Sequence, residues 1–342
     1  MVACALVAMA TLESARAGTL VNFNFTGFGN VQIDLFDDLV STTVNNFVQN
    51  YVSTGKYNAT MVHRVDTGLG VIQGGGFLAS NAAAIVDQND PNVLKIPLEY
   101  NRANTRGTIS MARLSDDGVN LSSTQTATSQ WFINTTDNTT SLGPTSGSPH
   151  SFGYAVFGWV VGPGMSVVDS IAAVPTFAYD APFSQVPLQN FTMDDFNNHV
   201  PPIPHAVVLN SATVVKTHAS YQNPFLANDV NNGGALSATD ALTIISELLV
   251  HGSHTLNTPF AGTNYLDVDG NGRVNSTDAL AVIHDLLSNP GQQQATHLAG
   301  GVSPMVVVPE PSTLVLGSAL ALGLAAAAAR ARKARRKRAA SG

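Results

Sequence analysis

Gly107-Thr108-Ile109-Ser110-Met111-Ala112-Arg113 and Ser129-Gln130-Trp131-Phe132-Ile133-Asn134 are the two stretches from which the fold can be read. Each holds a short apolar run, 108–112 and 130–134, of strand length and composition. Outward from them the same texture recurs. Val21, Phe23 and Phe25 alternate with polar residues, as do Val31, Ile33 and Leu35. Further strand-like runs lie at 61–65, 71–73, 154–161 and 205–215. Val40, Val44, Phe47, Val48 and Tyr51 have the spacing of an amphipathic helix, and 165–174 reads as a second. Many short strands with two helices predict a closed antiparallel β-barrel with helical caps over 19–216.

Composition narrows the function classes. The chain has 342 residues, 44% hydrophobic and 11% charged, which suits about two domains and excludes a disordered polyelectrolyte or a long coiled coil. Its formal charge of −7 hides an asymmetry, because seven of the 16 basic residues lie between Arg330 and Arg338. The body keeps nine basic against 23 acidic residues, which argues against nucleic acid as a partner. The one cysteine, Cys4, lies in the apolar start, so the body has no disulfide, thiol nucleophile or thiolate metal site. Nine scattered histidines supply no Ser–His–Asp context.

Both ends read as targeting segments. Residues 1–17 combine an apolar run with Ala15-Arg16-Ala17, the pattern of a secretory signal peptide cut after Ala17. At the other end, Val308-Pro309-Glu310-Pro311-Ser312 precedes an apolar run at 314–329 and then the basic tail. Segment 309–342 resembles a PEP-CTERM sorting signal. That resemblance implies an exosortase-type processing enzyme, membrane contact through 314–329 at least transiently, and an exported protein of the bacterial surface, envelope or exterior. The basic cluster would hold the C-terminus on the cytoplasmic side.

Four blocks in order carry a second resemblance: Val62-His63-Arg64-Val65 with Ile72-Gln73-Gly74-Gly75, then 107–113, then 129–134, then Tyr154-Ala155-Val156-Phe157-Gly158. Together they look like the cyclophilin peptidyl-prolyl isomerases. The resemblance implies an eight-stranded antiparallel barrel with two capping helices, and isomerisation of X–Pro bonds in polypeptides without a cofactor. It makes Arg64 the donor to the prolyl nitrogen and gives Gln73 and Gln130 the substrate amides. Phe132 and Met111 line the proline pocket, Ala112 offers backbone, and Arg113, Leu142 and Tyr154 complete the substrate site. The chain departs from the family at Asp66-Thr67-Gly68-Leu69-Gly70-Val71, where Leu69 or Val71 replaces a lost aromatic wall, and in the long loop 138–151. The competing class is a surface-assembly or peptide-binding protein that grips Pro-containing segments without turnover.

After a linker at 217–226 the sequence repeats itself. Segment 229–240 is echoed by 267–278, and Leu242, Ile245, Leu248 and Leu249 map onto Leu280, Ile283, Leu286 and Leu287 at the same offset of 38. Each loop has the oxygen-donor spacing of a calcium loop, with Gly at position 6. The second supplies Asp267, Asp269, Asn271, Asn275 and Asp278 with the Arg273 carbonyl. The first supplies Asp229, Asn231, Ser237 and Asp240 but has Gly233 at position 5, which predicts a weaker site. Two loop-plus-helix units over 227–289 resemble type I dockerins, which implies a small all-α calcium-binding domain and a cohesin-bearing partner. Ala238-Thr239 and Ser276-Thr277 stand where that family chooses its partner, and they suit helix capping equally well. Residues 290–308 read as a second linker.

Overall fold

Alternation at the chain start builds the first hairpin. β1 (Ala17–Phe25) buries Val21, Phe23 and Phe25, and β2 (Gly29–Leu35) returns antiparallel with Ile33 opposite Val21 and Val31 opposite Phe23. The chain, seen as a computed structural model, is described over residues 17–87, 90, 92–116, 118–144, 151–219, 221–256 and 264–288. The expected leader up to residue 16 and everything from 289, including the sorting signal and apolar run, lie outside the described residues. Among the described residues no helix is long and apolar enough to cross a membrane.

The remaining strands are β3 (Thr60–Met61), β4 (Arg64–Asp66), β5 (Val71–Gly74), β6 (Thr108–Met111), β7 (Trp131–Asn134), β8 (Val156–Val161), the short pair β9 (Thr176–Phe177) and β10 (Val186–Pro187), and β11 (Val208–Ala219). β1 to β8 and β11 form one curled sheet of nine strands in the order β3-β11-β1-β2-β8-β6-β7-β5-β4. The sheet has nine strands where eight were expected, and its end strands β3 and β4 are not paired with each other. The run at 61–65 divides because its backbone changes partners: Val62 N–H donates to Val207, whereas His63 N–H donates to Gln73. The two ends of the sheet are therefore successive pieces of one stretch of chain.

Two helices flank the sheet. α1 (Ser41–Asn45) continues as π-helical turns over Asn46–Val52, and α2 is Gly164–Ala172. Phe47, Val48 and Tyr51 deliver the predicted apolar stripe to the core, where Phe47 meets Phe157 at 4.8 Å between centroids and Phe23 meets Trp131 at 5.0 Å.

Between β8 and β11 lies a subdomain for which the sequence carried no expectation. β9, β10 and α3 (Met193–Asn197) enclose Phe177, Val186, Leu188 and Phe191 against Met61, Ala79 and Ala206.

The repeated segment packs α4 (Ala238–His251) against α5 (Ser276–Ser288). Its core keeps the repeat offset, pairing Val230 with Val268, Leu236 with Val274, Ala241 with Ala279 and Ile244 with Val282. It is not wholly α-helical, because β12 (His254–Thr255) pairs with β13 (Arg273–Val274). Half of the predicted apolar face also turns outward: Leu242, Leu249, Leu280 and Leu287 are exposed, while the smaller Ala241 and Ala279 let the helices approach.

The stretch read as a linker is structured instead. β11 runs to Ala219, and beyond it Gln222 donates to the Val268 carbonyl and Asn223 to that of Asp229. Tyr265, just ahead of the second loop, is fully buried in the main core. Its hydroxyl donates to Asp34 and accepts from the Trp159 indole. Asp34 also holds His218 at 2.6 Å, and Asn232 of the first loop donates to the Val160 carbonyl at 3.0 Å. The sheet and the paired helices thus lie in one compact unit.

Candidate functional site

Residues directly opposed on antiparallel strands share a face, so register assembles the site. Arg64 on β4 opposes Gln73 on β5, Gln73 opposes Phe132 on β7, and Phe132 opposes Ser110 on β6. Gln130 and Ala112 lie two residues further along and fall on the same face. The Gln73 amide donates to Gln130 Oε1 at 2.9 Å, and Ala112 N–H donates to the Gln130 carbonyl at 2.8 Å. Behind this row the chain must approach the Trp131 ring closely. A Cβ at Gly74 would stand 2.6 Å from that ring, so the glycine is required there.

The guanidinium of Arg64 is held on three sides. Nε donates to Gln185 Oε1 at 3.2 Å, Nη1 to Gln73 Oε1 at 3.3 Å and Nη2 to Asp66 Oδ2 at 2.5 Å. The side chain of Arg64 stays one-third exposed, so it still faces solvent. Gln185 reaches it because β10 runs beside the free edge of β4, where Val65 N–H donates to the Gln185 carbonyl. Beneath, His63 is buried. Desolvation, reinforced by the Arg64 charge, pulls its imidazole down to about 4.

A separate apolar cluster gathers around Phe132 on the same face. Val71, Phe132, Leu142 and Tyr154 are buried together, with Leu69 and Ala112 packed against them. Phe132 meets Tyr154 edge-on at 5.4 Å. Val71 and Leu69 thus both contribute to this one cluster. Tyr154 is capped by the Arg113 guanidinium at 4.9 Å, and burial pushes its phenol up to about 12. Arg113 is otherwise committed, donating to Asp116 at 2.7 Å and twice to the Gly153 carbonyl. Its Nη1 also donates to the Leu114 carbonyl at 2.9 Å.

Met111 is the correction among the pocket residues. It follows Ser110 by one position, so the period of two sends its side chain to the opposite face. There it lies in the main core, 2% exposed and opposite Trp131.

The sequence reading missed a buried amide network behind the pocket. The Ser110 hydroxyl donates to Asn104 Oδ1 at 2.6 Å, Asn134 donates to Thr108 Oγ1 at 2.9 Å, and Asn138 donates to Asn134 Oδ1 at 2.9 Å. The Asn138 main-chain carbonyl in turn accepts from Leu142 N–H at 2.9 Å. Only Asp66 had a readable signal, since it lies two residues from Arg64 on one strand; no local pattern marks Asn104 or Gln185.

In the second loop, carboxylate oxygens of Asp267, Asp269 and Asp278 come within 4.8 Å of one another, an all-oxygen set that fits a hard divalent cation. Asp267 and Asp278 are fully buried, as are Asp229 and Asp240 of the first loop. Desolvation raises Asp229 and Asp267 to about 6, and Asp278 is raised for the same first cause. Gly234 and Gly272 take φ of +85° and +78°, the left-handed turn expected at position 6, and donate their N–H groups to Asp229 and Asp267. Ser237 and Asn275 serve the helix starts: Ser237 donates to Asp240, and Asn275 Oδ1 accepts from Thr277. Asn231 bonds Thr239, Asn271 Oδ1 accepts from the Arg273 N–H, and the Arg273 side chain reaches Thr255.

Comparison with known proteins agrees with this geometry. The family model of the cyclophilin type peptidyl-prolyl cis-trans isomerase/CLD matches residues 20–193, and that of the dockerin type I domain matches 227–287. A peptidyl-prolyl cis-trans isomerase of Acinetobacter baylyi is 39% identical over 168 residues, 48% of this chain and 78% of that protein. Peptidyl-prolyl cis-trans isomerase B of Escherichia coli is 36% identical over 180 residues, 52% of this chain and 100% of that protein. A solved cyclophilin type isomerase of Cryptosporidium parvum aligns at 17% identity and a TM-score of 0.39, covering 58% of this chain and 98% of that one. With most of each curated relative spanned at more than a third identity, the chain belongs to the cyclophilin-type peptidyl-prolyl cis-trans isomerases and carries a type I dockerin domain behind the isomerase fold.

Proposed function

We propose that X–Pro bonds are isomerised on the face formed by Arg64, Gln73, Gln130 and Phe132. The observation that carries this is the convergence of a held guanidinium, two linked amides and an apolar pocket on adjacent strands. Rotation about the bond must overcome conjugation of about 18–20 kcal/mol between the prolyl nitrogen and the preceding carbonyl. Phe132, Leu142, Tyr154 and Val71 enclose the ring, and Gln130 and Ala112 hold the flanking backbone. A guanidinium has five N–H groups, and three are used by Gln185, Gln73 and Asp66. The remaining Nη hydrogens are available to the prolyl nitrogen. Its lone pair accepts best when pyramidal, so the donation favours the twisted transition state over either planar ground state. No nucleophile or metal enters the step.

The dockerin places this activity. Asp267, Asp269 and Asp278 with Asn271, Asn275 and the Arg273 carbonyl would hold calcium in the second loop, and Asp229, Asn231, Ser237 and Asp240 a weaker ion in the first. Calcium would supply charge compensation for the buried carboxylates. The exposed Leu242, Leu249, Leu280 and Leu287 offer an apolar stripe for a cohesin-bearing partner. The chain would then serve the folding of exported or cell-surface proteins, with the 309–342 segment handled by an exosortase at the membrane.

A protease-coupled assay on a Pro-containing peptide tests the core of this reading. Arg64→Ala should lose most of the rate. Equal rates for wild type and variant would leave a peptide-binding protein instead.

A further inference from the structure

Arg64 depends on two groups that its own motif does not contain. Asp66 occupies the segment where this chain departs from its family, and Gln185 lies in the 176–206 subdomain. Asp66 is two residues from Arg64 on β4 and therefore on the same face. Its Oδ2 takes Nη2 at 2.5 Å while Oδ1 accepts Leu69 N–H at 2.9 Å, so one carboxylate ties the loop 66–70 to the guanidinium. Gln185 is fixed by its own backbone, whose carbonyl accepts Val65 N–H at 2.9 Å. Its Oε1 then meets Arg64 Nε at 3.2 Å from the side opposite the pocket strands.

We infer that Asp66 and Gln185 are positioning residues that hold the Arg64 guanidinium in its donating orientation. The inference rests on the proposed role of Arg64. Arginine on an edge strand has several rotatable bonds, and a partly exposed one samples many rotamers unless it is tied at more than one nitrogen. Gln73 ties one of them. Asp66 and Gln185 tie the other two, and each Nη keeps one hydrogen for substrate. The two groups act before substrate arrives, so they lower the reorganisation needed in the transition state rather than adding ground-state binding.

The experiment measures kcat and KM separately on a Pro-containing peptide for the full chain and five variants. Asp66→Ala should lower kcat about tenfold with KM changed less than about twofold, the pattern of lost transition-state organisation. Asp66→Asn keeps one acceptor oxygen, for either Leu69 N–H or Arg64 Nη2, and should give a kcat between those of Asp66→Ala and wild type. Gln185→Ala leaves the 66–70 loop intact and should lower kcat about threefold, which guards against a folding defect in Asp66→Ala. In the Arg64→Ala background, adding Asp66→Ala should cost nothing further. Unchanged or increased kcat in Asp66→Ala, or a rise in KM alone, overturns the inference while an inactive Arg64→Ala preserves the site. If Arg64→Ala keeps wild-type kcat, the site itself is wrong and the inference falls with it.

Discussion

Replacing Tyr265 by Phe removes one oxygen and leaves the ring in place. That oxygen is the joint between the repeated helices and the sheet, because it donates to Asp34 and accepts from Trp159 within a fully buried setting. The ring itself packs on Trp159 at 5.3 Å and should stay. Hydrogen bonds to charged groups contribute about 1.5–3 kcal/mol, and Asp34 is buried with His218 held on its other oxygen. Loss of the hydroxyl should therefore cost about 2 kcal/mol. At about 2–4 °C per kcal/mol for a chain of this order, Tm should fall by about 4–8 °C. The assay is thermal unfolding of the full chain, followed at the same time by calorimetry and by near-ultraviolet circular dichroism of the two tryptophans. Wild type and Tyr265→Phe should each unfold in one transition, with the whole transition displaced. A Tm within about 1 °C of wild type would refute the argument. So would two transitions of which only one moves, because the helices would then be an independent module on a tether.

Two further outcomes follow from buried titratable groups. His63 is held down at about 4 from an ordinary 6.5, so the folded state binds its proton more weakly than the unfolded state. Its contribution is fully present above about pH 6.5 and is lost as pH falls through 4, a change of about 3 kcal/mol. Urea unfolding at pH 7 and pH 4 should show that difference shrink in His63→Gln, and equal differences in the two proteins would remove His63 as its source. Calcium should raise the Tm of the metal-stripped chain, by up to about 3 kcal/mol of stabilisation at a hundredfold excess over its Kd. Asp267→Ala should remove more of that rise than Asp229→Ala, because only the second loop gathers three carboxylates. Equal losses in the two variants would refute the ranking of the sites.

Local pattern carried much of this protein. Alternation at Val21, Phe23 and Phe25 and at Val31, Ile33 and Leu35 marks strands because a pleated chain buries every second residue. The offset of 38 survives in the core between α4 and α5, where the buried residues of one repeat have their counterparts buried in the same cluster. Arg64, Gln73, Gln130 and Phe132 come together as their motifs imply, since neighbouring strands carry them at matching register. Met111 lies in the main core and Phe132 in the smaller apolar cluster for one reason: one residue of phase separates the two faces, and a motif match does not record phase.

What the sequence determined, then, is the order of the elements and the two loops of oxygen donors, through spacing and repeat, and the arginine and its amides, through the family resemblance of their motifs. All of these depend on residues close in sequence or on repeats of a fixed length. Tertiary structure alone decided the partners of Arg64 beyond its motif, the use of Asn104 and Asn138 behind the pocket, and the conversion of 217–226 from expected linker to joint. Those contacts join residues as far apart as Asp34 and Tyr265. A hydrogen bond across such a distance depends on where the sheet curls and which edge strand is covered, and no local periodicity encodes either.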